Sequence, residues 1–377
     1  MAGIYIHIPF CKQACSYCDF HFSTKLNNKQ KVLNAIEIEL ELREAYIGEE
    51  IVETIYLGGG TPSLLNSIEM ESLFTKINSL FNVSDGAEIT LEANPDDLTL
   101  EKLKELKTTS INRLSIGVQS FFEEDLRFMN RAHNSNEAQE CIKSAQKVGF
   151  SNISIDLIFG SQTTTKEMWQ ENLDTFFNLG INHLSAYSLT IEEKTALAHQ
   201  VAKGKVENVD DEKNYEQYLM LQKAVKQNGF EQYELSNYCK NEAYSKHNTS
   251  YWQSKKYLGV GPSAHSFNDT SRQWNVRNNL LYSKAIENGK AYFEKEELSE
   301  IDCYHEHLIT SLRTKWGINL NSLNVSFSNL IVNHFHTKAK NLSETIIDLS
   351  TEYLTVKPEY LFQSDEIVRE LMIDFET

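Results

Sequence analysis

Along the first two-thirds of the chain one phrase recurs: a short apolar run, a polar or glycine-rich loop, then apolar positions at helical spacing. The apolar runs fall at 4–8, 54–57, 88–91, 113–116, 153–158 and 183–187. Short runs of this kind, bounded by turn residues, predict β-strands. Between them, 32–44, 70–81, 100–106, 138–148 and 168–179 carry the three-to-four spacing that predicts helices. Strand–helix alternation implies parallel βαβ units, and six of them predict an α/β fold, a (β/α)6 partial TIM-type barrel.

Polar residues gather where these strands end. The cysteine loop follows the first, Gly58-Gly59-Gly60-Thr61-Pro62 the second and Glu92-Ala93-Asn94-Pro95 the third. Gln119 follows the fourth, Asp156 sits in the fifth and Glu192 follows the sixth. Parallel barrels build their active sites at the carboxyl ends of the strands. Residues 194–226 are charged and helical, and 233–265 are dense in Tyr, Trp, Asn and His. After 288 the chain turns Glu-rich, then helical, ending in 353–356 and 365–371. The expected division is a core over 1–230, a connecting segment over 231–288 and a small, mainly helical, winged-helix-like domain over 289–377.

Charge removes one class of function. A formal net charge of −17 opposes binding to nucleic acid through phosphate neutralisation. No apolar run is long enough for an integral membrane segment, and Met1-Ala2-Gly3 leads straight into a strand rather than a secretory signal. A cytoplasmic chain is expected. Of six cysteines, Cys11, Cys15 and Cys18 crowd into one loop, whereas Cys141, Cys239 and Cys303 are scattered and read as packed or surface thiols. In a reducing compartment the crowded three read as metal or cluster ligands.

Cys11-Lys-Gln-Ala-Cys15-Ser-Tyr-Cys18 has the spacing C-x3-C-x2-C. Three thiolates in one tight loop can hold three irons of a [4Fe–4S] cubane and leave the fourth iron open. That iron can chelate the amino and carboxylate groups of a methionine moiety, which points to S-adenosylmethionine as the ligand. The competing reading is a zinc site with His21 as fourth ligand.

On this loop, placed after the first strand, the chain resembles the radical S-adenosylmethionine superfamily. Tyr5-Ile-His7-Ile-Pro9-Phe10-Cys11 narrows the resemblance to the oxygen-independent coproporphyrinogen III dehydrogenases and their relatives. It continues through the Gly58 loop, Glu92-Ala-Asn94-Pro95 and Ser115-Ile-Gly117-Val-Gln119-Ser120-Phe121 into the C-terminal domain. The resemblance implies that Gly59, Gly60 and Thr61 meet the methionyl amino group, and that Tyr5, Glu92, Gln119, Arg131 and Asp156 contact the cofactor. For the glycine loop the alternative is a plain strand-to-helix turn; for Asp156, a barrel-interior carboxylate paired with Arg113 or Arg131.

Two departures weigh against the dehydrogenases themselves. Their cluster loop carries a further cysteine where this chain has Phe20, and their N-terminal extension has no counterpart before a strand that begins at Ile4. Instead His247-Asn248-Thr-Ser-Tyr251-Trp252 matches the H-N-x-x-Y-W motif of the HemW-like haem chaperones, a sister branch. That resemblance implies a haem carrier with His247 on the iron, delivering haem to acceptor proteins such as respiratory enzymes. A neutral imidazole is a common haem ligand, and Tyr and Trp rings offer flat surface to a porphyrin. His265, in Gly259-Val-Gly261-Pro-Ser-Ala264-His265, is the second candidate ligand. Tyr233 to Tyr238 is expected to line the cleft. The turn after Gly160 is shorter than in the family, which puts its share in the cofactor pocket in doubt. His305, His307, His334 and His336 read as solvated or packed helix positions. The alternatives to a chaperone are a coproporphyrinogen III dehydrogenase and, fitting poorly, a simple iron–sulfur electron carrier.

Overall fold

A computed structural model describes residues 1–373. Six parallel strands stand side by side in chain order: β1 Ala2–Ile8, β2 Val52–Gly59, β3 Val83–Ala93, β4 Arg113–Gln119, β5 Asn152–Phe159 and β6 His183–Ser188. Helices Lys29–Leu42, Ser67–Leu80, Leu100–Leu106, Ser135–Val148 and Lys166–Asn178 lie between them, as the periodicity predicts. Four begin two or three residues earlier than their apolar spacing suggests, among them Ser67–Leu80 and Ser135–Val148. Asn66 with Glu69, and Asn134 with Glu137, form reciprocal capping boxes that open these helices on a polar first turn.

Alternation along the strands makes two unlike faces. Ile4, Ile6 and Ile8 are fully buried in one cluster with Val32, Ile36 and Leu40 of the first helix. Each such side chain contributes about 1.5–3 kcal/mol. The other face is polar. Tyr5 stands opposite Tyr56, Ser115 opposite Glu92 and Ser154, and Asp156 opposite Gly117 and Ser185. Barrels of this kind are usually filled with branched aliphatic layers. Here the filling is a hydrogen-bonded network, in which His183 meets Ser154 through Nδ1 at 2.6 Å and Tyr233 through Nε2 at 2.7 Å.

The sheet does not close on itself. On β6 lies an antiparallel ribbon, β7 Glu231–Gln232 and β8 Asn237–Cys239. On the free edge of β1 lies β9 Tyr257–Val260, parallel to it, followed by antiparallel β10 His265–Phe267, β11 Ser271–Asn275 and β12 Phe293–Glu297. Segment 231–288 therefore supplies strands to both edges, and β12 carries the sheet past residue 289. A second apolar cluster follows, built from Tyr304, Leu308 and Leu312 of helix Glu300–Leu312 with Phe335, Leu354 and Val356. A small three-stranded sheet completes this mainly helical, winged C-terminal part. The end of the expected 289–377 domain, 374–377, lies outside the described residues. Among the described residues no helix is long and apolar enough to cross a membrane.

Candidate cluster and cofactor site

The cysteine loop is held by backbone contacts that leave its sulfurs free. The amide of Cys11 donates to Ser23 at 3.1 Å, that of Ser16 to Met129 at 3.0 Å, and Asn130 Nδ2 to the Ala14 carbonyl at 2.7 Å. The turn after helix Glu123–Phe128 thus clamps the loop from one side. From the other, the amide of Gly60 donates to Ile8 at 2.9 Å and that of Thr61 to Phe10 at 2.7 Å. A methyl group on Gly60 would stand 2.6 Å from the Phe10 carbonyl oxygen. The glycine loop therefore closes first on the cluster loop's own backbone, which is why only glycine fits there.

One cavity of about 610 Å³ unites most of the predicted residues. Its wall carries Cys11, Cys15 and Cys18, then Gly59, Gly60 and Thr61, together with Glu92, Gln119, Arg131 and Asp156. All three thiols are free and half-buried. Arg131 organises this wall: Nη1 donates to Cys15 Sγ at 3.2 Å and Nη2 to Asn94 Oδ1 and the Gly117 carbonyl, both at 2.7 Å. Its buried Nε has no partner. Gln119 reaches the wall from a left-handed backbone, φ 68°, which a side chain of this kind rarely adopts outside functional turns.

Burial dominates the electrostatics. It pushes the thiol of Cys11 up to about 11 and that of Cys18 to about 12, so both are protonated at neutral pH until a metal takes the proton's place. It also raises Glu92 to about 7 and Asp156 to about 6. Glu92 accepts from Tyr56 Oη at 2.8 Å and the Gly59 amide at 3.1 Å, and Asp156 from Ser115 Oγ at 3.4 Å. Arg113 reaches Glu88 at 3.9 Å instead of Asp156. Among the described residues these two buried carboxylates have no ion pair of their own, although the charges of Arg113 and Arg131 act on Asp156, and they favour a positively charged guest that would hold both ionised.

These residues fit the cluster and cofactor that the spacing implies. Among the described residues no three His, Cys, Asp or Glu converge on a single ion. A cubane instead takes each thiolate on a separate iron, and an Arg N–H on one sulfur is the kind of contact that tunes such clusters. Asn94, which also donates to Thr61 Oγ1 at 3.2 Å, and Tyr17 and Tyr187 belong to this site without having been singled out for it. For Asn94 and Tyr187 the position at a strand end was the available signal.

Two expected residues, Tyr5 and His247, do not line this cavity. Tyr5 faces a second cavity of about 660 Å³, and its Oη meets His7 Nδ1 at 3.2 Å. On the interior face it sits a layer below Glu92, because the register sets His7, not Tyr5, against Gly58. His247, at 1% exposure, lines neither of these two cavities. Its Nδ1 is bonded to Thr54 Oγ1 and its Nε2 to Tyr251 Oη, both at 2.8 Å, and its ring stacks 4.9 Å from Tyr56. Both nitrogens of the expected haem ligand are thus engaged with hydroxyl groups in this structure. Burial pulls its imidazole down to about 3, so it is neutral structural core.

The second cavity adjoins the first, with Asp19, Phe20 and Tyr187 in both walls. It is faced by Tyr251, Trp252, Tyr257 and Phe267, and by Glu234 and Asn237 from the 233–238 run. The turn after Gly160 lines neither cavity; Thr163 and Thr164 bond Asp125 instead. The four C-terminal histidines lie on helices Glu300–Leu312 and Asn329–Ala339.

A model of the radical SAM superfamily matches residues 5–176. The heme chaperone HemW of Bacillus subtilis is 34% identical over 347 residues, spanning 91% of this chain and 92% of that protein. The heme chaperone HemW of Lactococcus lactis is likewise 34% identical, over 83% of this chain and 82% of its own. Among solved structures, the coproporphyrinogen III oxidase HemN of Escherichia coli superposes with a TM-score of 0.84 over 98% of this chain and 89% of that one. At 22% identity that likeness establishes a shared fold. With its cysteine loop, strand-end shell and kinship along nearly the whole length, the chain belongs to the radical SAM superfamily, in the HemW family.

Proposed function

We propose that the protein is a haem chaperone that holds a [4Fe–4S] cluster and S-adenosylmethionine in the first cavity, carries haem in the second, and passes it in the cytoplasm to acceptor proteins such as respiratory enzymes. The observation that carries this reading is the adjacency of the two cavities across one shared wall, in a chain whose relatives are heme chaperones. Cys11, Cys15 and Cys18 would hold the cluster, and Glu92, Asn94, Arg131 and Asp156 would orient the cofactor. When bound, that pair supplies an open iron and one-electron chemistry at a sulfonium. The chain's own part is to exclude water from the buried carboxylates and to keep Arg131 on the sulfur of Cys15. Phe20, where the dehydrogenases carry a further cysteine, stands in the shared wall and offers a ring to either side.

The test is anaerobic. Reconstitution should load about four irons per chain, and Cys18→Ala should abolish that loading. Haemin added to the purified protein should shift its Soret band on binding. A protein that leaves the haemin spectrum unchanged is not a haem carrier. Conversion of coproporphyrinogen with stoichiometric methionine release would establish the enzyme reading instead.

A further inference from the structure

With His247 closed inside the core, the question is which group could meet haem iron. Three histidines face the second cavity. His7 is used up, its Nδ1 meeting Tyr5 Oη at 3.2 Å and its Nε2 the His21 carbonyl at 2.8 Å. His21 has one nitrogen engaged, Nε2 with Asn279 Oδ1 at 2.7 Å. His265 is exposed to the cavity and among the described residues carries no side-chain hydrogen bond; Trp274 is a ring neighbour, 6.4 Å away.

The backbone that presents His265 is unusually determined. A methyl group on Gly259 would fall 1.9 Å from the His265 carbonyl oxygen, and one on Gly261 would fall 2.5 Å from the His7 carbonyl oxygen. Ser263, between them and His265, has a left-handed backbone with φ 68°. Such strain in a non-glycine residue persists where the surroundings over-determine it, and it concentrates at ligand clamps. Those surroundings are visible. Glu39 accepts from the Gly261 amide and from Asn275 Nδ2, both at 2.8 Å, and the Asn275 amide donates to Ala264 at 2.9 Å.

The rest of the cavity suits a flat dicarboxylate. Tyr251, Trp252, Tyr257 and Phe267 offer ring faces and edges. In a chain of net charge −17, Lys255, Arg272 and Arg277 all line this cavity, alongside Asp19 and Glu234, and the Lys255 ammonium lies 3.7 Å from Glu53. Arg277 is exposed and donates to the Asp19 carbonyl; Arg272 pairs with Glu306 and donates to Tyr257 Oη at 3.3 Å.

We infer that the second cavity is the porphyrin site, that His265 at the start of β10 is the iron ligand, and that Arg277 receives a propionate. The inference rests on the haem-carrier reading and names its site. Burial, with Arg272 nearby, lowers the His265 imidazole, which favours the neutral form that ligates iron.

The experiment titrates cluster-free protein with haemin and, separately, with iron-free protoporphyrin IX. His265→Ala and His265→Gln should weaken haemin about tenfold or more and shift the Soret position. Both should leave protoporphyrin affinity unchanged, since only the iron contact is gone, and added imidazole should restore the spectrum of His265→Gly. Arg277→Glu should weaken both porphyrins. Wild-type haemin spectra in His265→Ala and His265→Gln, or loss of the band in His247→Ala or His21→Ala alone, would overturn the assignment while leaving the carrier intact. Failure of the wild-type protein to bind haemin would instead sink the carrier reading, and the site with it.

Discussion

The cysteine loop and the His247 helix are both short motifs, and they end in opposite conditions. The loop is held through its backbone at residues 11, 14 and 16, so its three thiols face a cavity, with Cys15 bonded to Arg131. In helix Lys246–Trp252, side chains do the holding. His247 spends both nitrogens, its amide donates to Glu88 at 3.1 Å, and Tyr251 Oη closes over it. A motif residue is free for a ligand only when something else supplies the local structure. On this contrast, removing a loop cysteine should cost ligand and little stability, and removing His247 should cost stability and little ligand.

The largest expected effect is on the first side. Cys11→Ala, Cys15→Ala and Cys18→Ala should each lose cluster iron almost completely, measured as iron per chain, with the melting midpoint of the cluster-free protein nearly unmoved. Comparable iron in any of the three would break the contrast. Next comes Glu39→Ala. It strands Arg43, whose Nη1 lies 3.3 Å from the carboxylate, in the interior and frees the Gly261 turn. Denaturant titration should show a loss of about 3–5 kcal/mol. Haemin affinity should fall with it if that turn positions His265.

His247→Ala removes a buried ring with two hydrogen bonds and a stacking partner, for about 2–4 kcal/mol. A near-neutral result in denaturant would mean that the helix is not anchored as described. Gly60→Ala pushes a methyl group against the Phe10 carbonyl and should cost about 1–3 kcal/mol. Iron retention should drop as well, because the cluster loop must shift.

The smallest effect is a change of slope with pH. The folded imidazole of His247 titrates near 3, against an ordinary value near 6.5. Above 6.5 it is neutral in both states, so its contribution is fully present. Between about 6.5 and 3 the unfolded chain takes the proton first, and stability falls as pH falls. His247→Gln should therefore show a shallower acid decline than wild type over that window. Parallel curves would place the ring in a more open setting than the structure does.

Much of this was legible in the residues. Six strands, the helices between them and the C-x3-C-x2-C loop depend on spacing within a few residues, and local spacing survives folding. Glu92, Gln119, Arg131 and Asp156 share one wall because strand ends meet at one rim of a parallel barrel. The polar filling of the barrel was harder to foresee. Residues such as Ser115, Ser154 and His183 sit singly among apolar neighbours, and their partners lie on adjacent strands.

What the amino-acid order determined alone was therefore the frame and the thiol triad. Tertiary structure decided which cavity Tyr5 faces, through a one-layer difference in register, and which histidine stays open. His247 and His265 are both single histidines in polar, aromatic surroundings, and no spacing distinguishes them. One met Thr54 on β2, far off in the chain, as well as Tyr251 one turn along its own helix. The other, following a strained turn held by Glu39 and two close-packed glycines, has among the described residues no side-chain hydrogen bond. Whether a side chain has a partner is a property of neighbours distant in the chain, and only folding brings them together.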